Sequence, residues 1–133
     1  MSTARVAVVA AVVERDGRYL LGRRPVDKRH GDLWEFPGGK VDDGESALEA
    51  TRRELAEELD VAVTEVGALM HEIADTAPPF VIFFHGAQIE GEPRAIEHTD
   101  VGWFTLEELL TMALAPADER FVAWLATAGR PVR

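Results

Sequence analysis

The chain has 133 residues, enough for one domain with a substantial core and too few for two. With 47% hydrophobic and 29% charged residues it reads as an ordinary soluble globular protein, and the lack of cysteine excludes disulfides, thiolate nucleophiles and cysteine-based zinc sites. A formal net charge of −10 argues against nonspecific gripping of a nucleic acid backbone, so an anionic substrate would need a local basic patch or a bound metal.

Along the chain, Val6–Val13 is a β-branched apolar run that stops at Glu14-Arg15-Asp16, and the segment Val6–Glu14 turns through Asp16-Gly17 into Tyr19–Arg24. The pattern predicts two paired strands, the first buried, rather than a secretory leader. No stretch reaches the ~20 apolar residues of a membrane span, so a cytoplasmic protein without membrane contact is expected. From Pro25 to Lys40, glycine, proline and charge predict a loop, with Leu33–Phe36 as a short extended piece inside it. Ser46 with Glu49 makes a capping box, opening a helix that runs to about Leu59. Val61–Glu72 and Phe80–Ile89 predict strands on either side of a Pro78-Pro79 turn. Thr105 with Glu108 is a second capping box, before a short helix over TLEELLTM. Pro116 suits the first position of a closing helix, with Asp118 and Glu119 in its first turn. This order predicts an α/β protein whose mixed sheet carries helices on its faces.

The segment Arg53–Leu59, RELAEEL, places Glu54, Glu57 and Glu58 within one stripe of the central helix about 100° wide, at about 100° per residue. Leu48, Leu55 and Leu59 fall along a core-facing edge beside it, and Ala47 and Ala50 lie on the stripe, where small side chains would leave room. Arg53 is within i,i+4 reach of Glu49 and Glu57 but cannot neutralise three carboxylates. A divalent cation can, and carboxylate oxygens suit hard Mg²⁺ or Mn²⁺. A solvated helix face would also account for E-x-x-E-E taken alone.

The surrounding residues extend the pattern. From Gly39 to Val61 the chain reads GKVDDGESALEATRRELAEELDV, which resembles the Nudix box, G-x5-E-x7-R-E-U-x-E-E-x-G-U with U a bulky aliphatic residue. Asp60 stands where the motif has glycine; the position ends the helix, and aspartate tolerates the left-handed conformation wanted there. The LWEFPGGKV run, the spacing from Glu97 to Trp103 and the late LAPAD segment extend the similarity to MutT-like members over most of the chain. The resemblance implies a single Nudix domain over residues 1–133, a mixed sheet sandwiched between helices (α/β/α), and Mg²⁺- or Mn²⁺-dependent cleavage of an NTP or dNTP to the monophosphate and pyrophosphate.

Matched position by position, the resemblance makes Glu54, Glu57 and Glu58 metal ligands, with the Gly38 carbonyl beside them because Gly38-Gly39 lets the chain approach closely. Arg53 would aim Glu57, Glu45 would tie the loop to the helix, and Gly39 would serve the motif's structure. Glu97 matches a distal glutamate that binds metal or acts as base, which leaves Glu54 and Glu97 both open as the general base. The cluster Arg23, Arg24, Lys28 and Arg29, with Lys40 after the double glycine, reverses the chain's overall charge; Arg23 and Lys40 are the favoured phosphate contacts. Phe36, Phe80 and Ile82 serve equally as base-stacking walls or as core. Asp118 matches a base-reading position and, as an acceptor-only carboxylate, suits the exocyclic amino group of a cytidine-type nucleotide, including 5-modified ones, or of 8-oxo-dGTP, the former slightly favoured. The expected partner is a small nucleotide; the sequence leaves the oligomeric state open. Two other classes remain in view: a module that senses a nucleotide without cleaving it, and a Nudix hydrolase of another nucleoside diphosphate derivative.

Overall fold

The computed structural model describes residues 5–76 and 79–127. Eight strands and three helices follow one another as β1 (Val6–Val12), β2 (Glu14–Arg15), β3 (Arg18–Arg23), β4 (Trp34–Glu35), β5 (Gly38–Lys40), α1 (Ala47–Leu59), β6 (Ala62–Thr76), β7 (Pro79–Glu90), β8 (Asp100–Phe104), α2 (Leu106–Leu109) and α3 (Pro116–Thr127). The main sheet has the order β5-β1-β7-β6, with β1 parallel to β7 and the other pairs antiparallel. It is the expected mixed sheet. A second, antiparallel sheet is built on β3, flanked by β8 on one side and by β2 and β4 on the other.

The first hairpin departs from the expected pairing. Only Glu14-Arg15 pairs with Arg18-Tyr19, through an Asp16-Gly17 turn whose residues both have positive φ, 53° and 76°. Such a primed turn matches the strands' own twist. After the bond from the Leu20 N–H to the Val13 carbonyl, at 3.0 Å, the two strands part and β1 enters the main sheet beside β7. The reason is that β1 is apolar on both faces and needs cover on both, which a two-stranded ribbon does not provide.

Alternation along β1 then divides the core. Ala10 and Val12 face α3 with Phe36, Phe84, Phe121 and Leu125, whereas Ala11 and Val13 face α1 with Leu55, Leu59 and Val61. Leu20 and Leu21 of β3 split the same way. Helices therefore cover both sides of the sheet, the α/β/α layering of the sequence reading.

Both capping boxes form, at Ser46/Glu49 and Thr105/Glu108, and Pro116 opens α3. The helix over TLEELLTM is shorter than expected, one turn from Leu106 to Leu109. Gly38–Lys40, expected to be loop, is a short strand on the edge of β1. Of the expected Pro78-Pro79 turn, Pro79 begins β7 and Pro78 lies outside the described residues. Among the described residues no helix is long and apolar enough to cross a membrane.

Candidate active site

The helix α1 carries its acidic stripe into the protein rather than away from it. Ala50, Thr51, Leu55, Glu58 and Leu59 are all buried, so the packed face is centred beside Glu54 and Glu58 instead of bordering them. The side chains of Glu54 and Glu58 are 14% and 9% exposed, against 51% for Glu57. This excludes the solvated-face explanation for two of the three glutamates. It also corrects the role expected for Ala50, which is fully buried and belongs to packing rather than to space above the stripe.

Burial has an electrostatic consequence. Glu58 is driven far above the usual carboxylate range, first by burial and then by the charges of Glu35 and Glu54, although the Gly38 N–H donates to it. Glu54 is raised as well, again chiefly by burial, with Arg53 opposing. Glu58 Oε1 is buried without a hydrogen-bond partner. A buried acceptor in that state costs about 1–3 kcal/mol, and a cation arriving there would recover it.

Backbone without side chains makes the approach possible. A Cβ on Gly39 would fall onto the Glu54 carboxylate, and one on Gly38 onto the Val9 carbonyl. The double glycine of β5 thus lies directly against α1 and β1, with no room for a methyl group.

Arg53 locks this junction. Its Nε and one terminal nitrogen fork onto Glu45 at 2.8 and 2.9 Å, the same terminal nitrogen donates to the Lys40 carbonyl at 3.0 Å, and the other reaches Glu54 at 3.3 Å. The expected i,i+4 pair with Glu57 is also present but longer, at 3.7 Å, so Arg53 chiefly anchors Glu45 and β5. Glu45 also accepts from the Asp42 N–H at 2.8 Å, and these bonds hold its carboxyl down at about 2. It ties the loop to the helix, as its place in the sequence implied.

The segment between β7 and β8 closes over the end of α1. The N–H groups of Arg94 and Ile96 donate to the carbonyls of Leu59 and Glu58, at 2.9 and 3.0 Å, satisfying groups a helix C-terminus leaves unpaired. Asp60 adopts the left-handed conformation (φ 56°), and Arg94 pairs with its carboxylate at 3.1 Å. The departure from glycine is therefore accommodated. This docking brings exposed Glu97 beside Glu58 and Gly38 in a hollow of about 180 Å³ that Arg24, Lys28, Glu35 and His98 also line. Among the described residues, no three carboxylates or histidines stand at metal-coordinating separations. The carboxylates of Glu35, Glu58 and Glu97 and the Gly38 backbone nonetheless give the hollow mainly oxygen donors, beside the one imidazole of His98, and hard oxygen donors suit Mg²⁺ or Mn²⁺.

A larger cleft of about 290 Å³ adjoins the hollow and shares Arg24, Glu35 and Gly38 with it. Phe36, Phe80, Ile82 and Asp118 line it, and Lys40 and Arg29 stand 5.6 and 5.8 Å from the Phe80 ring centroid. Phe36 turns out to be core and cleft floor together, edge-on to Phe84 and Phe121. Asp118 is buried, and its Oδ1 accepts the Phe36 N–H at 2.9 Å. Burial, reinforced by the charge of Glu35, pushes it up to about 8. Near neutral pH its other oxygen carries a proton and can donate, so Asp118 is not the pure acceptor expected.

A family model of the NUDIX domain matches residues 3–125. The chain belongs to the Nudix hydrolase family. It is 40% identical over 116 residues to the CTP pyrophosphohydrolase of Escherichia coli (strain K12), a match covering 85% of each chain. To the oxidized purine nucleoside triphosphate hydrolase of Danio rerio it is 33% identical over 113 residues, 82% of this chain and 71% of the relative. Among solved structures, the MutT Nudix hydrolase of Burkholderia pseudomallei matches with a TM-score of 0.80 at 32% identity, covering 91% of this chain and 98% of that one.

Of the residues singled out from sequence in this Nudix hydrolase, Gly38, Glu58 and Glu97 line the hollow, and Phe36, Gly38, Gly39, Lys40, Phe80, Ile82 and Asp118 line the cleft. Glu54 lies against Gly39, and neither it nor Glu57, Arg53, Glu45 or Arg23 lines either space. Arg23 points away and pairs with Asp32 at 2.9 Å, while Arg24, the next residue, turns inward to Glu35 at 3.0 Å. Successive residues of an extended segment face opposite sides, so the two arginines could not both reach a phosphate. Sequence reasoning missed Glu35 and His98. Both sit beside residues it did name, Phe36 and Glu97, but neither belongs to the box. One expected result follows from the packing at Gly39. Gly39→Ala should displace Glu54, to which the resemblance gives a metal-ligand role, and lower the hydrolase's kcat by roughly 10–100-fold, the range for disturbing such a ligand's support. Steady-state kinetics at saturating Mg²⁺, paired with a melting curve, checks it.

Proposed function

We propose that this Nudix hydrolase is a divalent-cation-dependent nucleoside triphosphate pyrophosphohydrolase, residues 1–133 acting as a single domain and taking one water to convert an NTP or dNTP to the monophosphate and pyrophosphate. The observation that carries the reading is the buried Glu58, its Oε1 unpartnered, opening on a hollow that adjoins an aromatic cleft. Glu54, Glu57, Glu58, Glu97 and the Gly38 carbonyl would hold the cation, which when bound supplies charge neutralisation at the phosphates. Lys28 at the hollow and Lys40 and Arg29 at the cleft would face the triphosphate, with Arg24 between the two spaces. Glu54, with proton affinity raised by burial, and Glu97, exposed at the rim, are the two candidates to take the water's proton. Comparing the pH–rate profiles of Glu54→Gln and Glu97→Gln distinguishes them.

For the base, we favour a cytidine-type triphosphate. A carboxyl group that both donates and accepts, as Asp118 does near its raised pKa, matches the N3 acceptor and amino donor of cytosine. The relative named a CTP pyrophosphohydrolase supports that choice. The second reading, an oxidised guanine nucleotide, rests on the same carboxyl group, which equally matches adjacent O6 and N7–H groups, and on the oxidized purine hydrolase relative. Comparing kcat/KM across natural, 5-modified and oxidised NTPs and dNTPs decides between them. A preference for nucleoside diphosphate sugars or dinucleoside polyphosphates would reject both. Asp118→Leu, which also strands the buried Phe36 N–H, should reduce kcat/KM for the preferred base by roughly 10–100-fold, the equivalent of about 1–3 kcal/mol. Asp118→Asn, which keeps a donor and an acceptor, should lose less.

A further inference from the structure

His98 is buried against the site, yet nothing in the reaction described above uses it. Its Nε2 lies 2.9 Å from Glu35 Oε2 and 4.0 Å from Glu58 Oε1. Glu35 also takes the Arg24 guanidinium and so is the acceptor of this pair; Nε2 carries a hydrogen and donates to it. The other oxygen of Glu35 accepts from Arg24 at 3.0 Å, so that carboxylate is held on both sides.

The place is built for the ring. Gly22 pairs with Glu35 on β4 and with Val101 on β8, and a Cβ on Gly22 would meet the His98 ring at 2.6–2.7 Å. The backbone on either side of His98 is anchored as well. Ile96 donates to the Glu58 carbonyl at 3.0 Å, and Thr99 to the Arg23 carbonyl at 2.9 Å. Glu58 thus holds the His98 segment by its main chain while its side chain faces the ring.

We propose that His98 is a positioning residue: seated in the gap left by Gly22, it stands between the carboxylates of Glu35 and Glu58 and keeps Glu58 oriented toward the hollow. When Glu58 gives up its proton to take a cation, it and Glu35 become like charges in a buried site and repel without a donor between them, and Glu58, with one oxygen unpartnered, is the freer to turn. This rests on the reading above that Glu58 helps to hold the cation.

The test uses the full chain stripped of metal, with Mn²⁺ binding followed by electron paramagnetic resonance, melting curves without cation, and kcat and KM for the preferred nucleotide. His98→Leu should weaken Mn²⁺ binding by about 10–100-fold and lower kcat with little change in KM. Gly22→Ala, which expels the ring, should do the same. His98→Gln, whose amide N–H can take the place of Nε2–H, should recover most of the affinity. Adding Glu35→Gln to His98→Leu should restore part of it by removing the like charge, an outcome that a packing role alone does not produce. Should His98→Leu fail to fold, Gly22→Ala and His98→Gln still decide. Wild-type Mn²⁺ affinity in His98→Leu or Gly22→Ala, whatever the melting temperature, overturns the role of His98 and leaves the proposed function standing. Failure of the wild-type chain to bind Mn²⁺, with or without a nucleotide analogue, removes both.

Discussion

Glu58→Gln is expected to lower kcat by about 10²–10⁴-fold, because on the proposed reading Glu58 is a ligand to a charge-neutralising metal and supplies several kcal/mol in the transition state. The fold should survive. In the metal-free chain burial keeps the Glu58 carboxyl protonated, and glutamine has nearly the same shape and the same lack of charge. The variant therefore separates chemistry from stability, which a cavity-forming substitution would not.

A pH dependence goes with it. A carboxyl whose pKa rises on folding binds its proton more tightly in the folded state, so its contribution is complete below the ordinary value of 4.5 and is lost as pH rises through the raised one. Asp118 acts in the same direction, up to about 8. The metal-free enzyme should thus melt at progressively lower temperature from roughly pH 5 towards pH 9, a range that lies inside this window. Glu58→Gln should flatten that slope in part. Added Mg²⁺ or Mn²⁺, which competes with the proton for the same oxygens, should raise the melting temperature more at high pH than at low. Melting curves across pH, with and without cation, check both statements. A slope unchanged by Glu58→Gln would contradict the buried, protonated state assigned to it.

Phe121→Ala is expected to cost about 3–5 kcal/mol, the range for deleting a buried phenylalanine, and to lower the melting temperature by roughly 10 °C or more. The ring is fully buried, stacked on Phe84 at 4.1 Å between centroids and edge-on to Phe36 at 5.3 Å. Its loss reaches the cleft as well, because Phe36 floors the cleft and its N–H is held by Asp118, one turn of α3 before Phe121. KM for the nucleotide should therefore rise even at temperatures where the variant is folded. Denaturant unfolding gives the first quantity and steady-state kinetics the second.

Glu58 and Asp118 also mark how far the sequence could be read. Glu58 was visible because the box spacing is periodic and local: α1 begins at its capping box, ends at a left-handed Asp60 and carries its carboxylates at the helical repeat. Asp118 and Phe36 could be named but not connected, since the bond between them joins segments 82 positions apart. His98 and Glu35, 63 positions apart, form a similar pair, and neither carries a local signal of its own. Arg23 was preferred over Arg24 on strand position alone, and the alternation of side chains reversed that choice.

Local interactions thus determined, from the chain alone, the α/β layering, the three helix starts and the acidic ridge, because capping, turn geometry and hydrophobic period act between residues near one another in sequence. Tertiary structure alone decided that β1 leaves its hairpin for β7, that two glutamates of the ridge are buried, and that Asp118 keeps its proton to about pH 8. Each of these depends on which distant segment covers a group and excludes water from it, and burial of that kind is a property of the packed molecule.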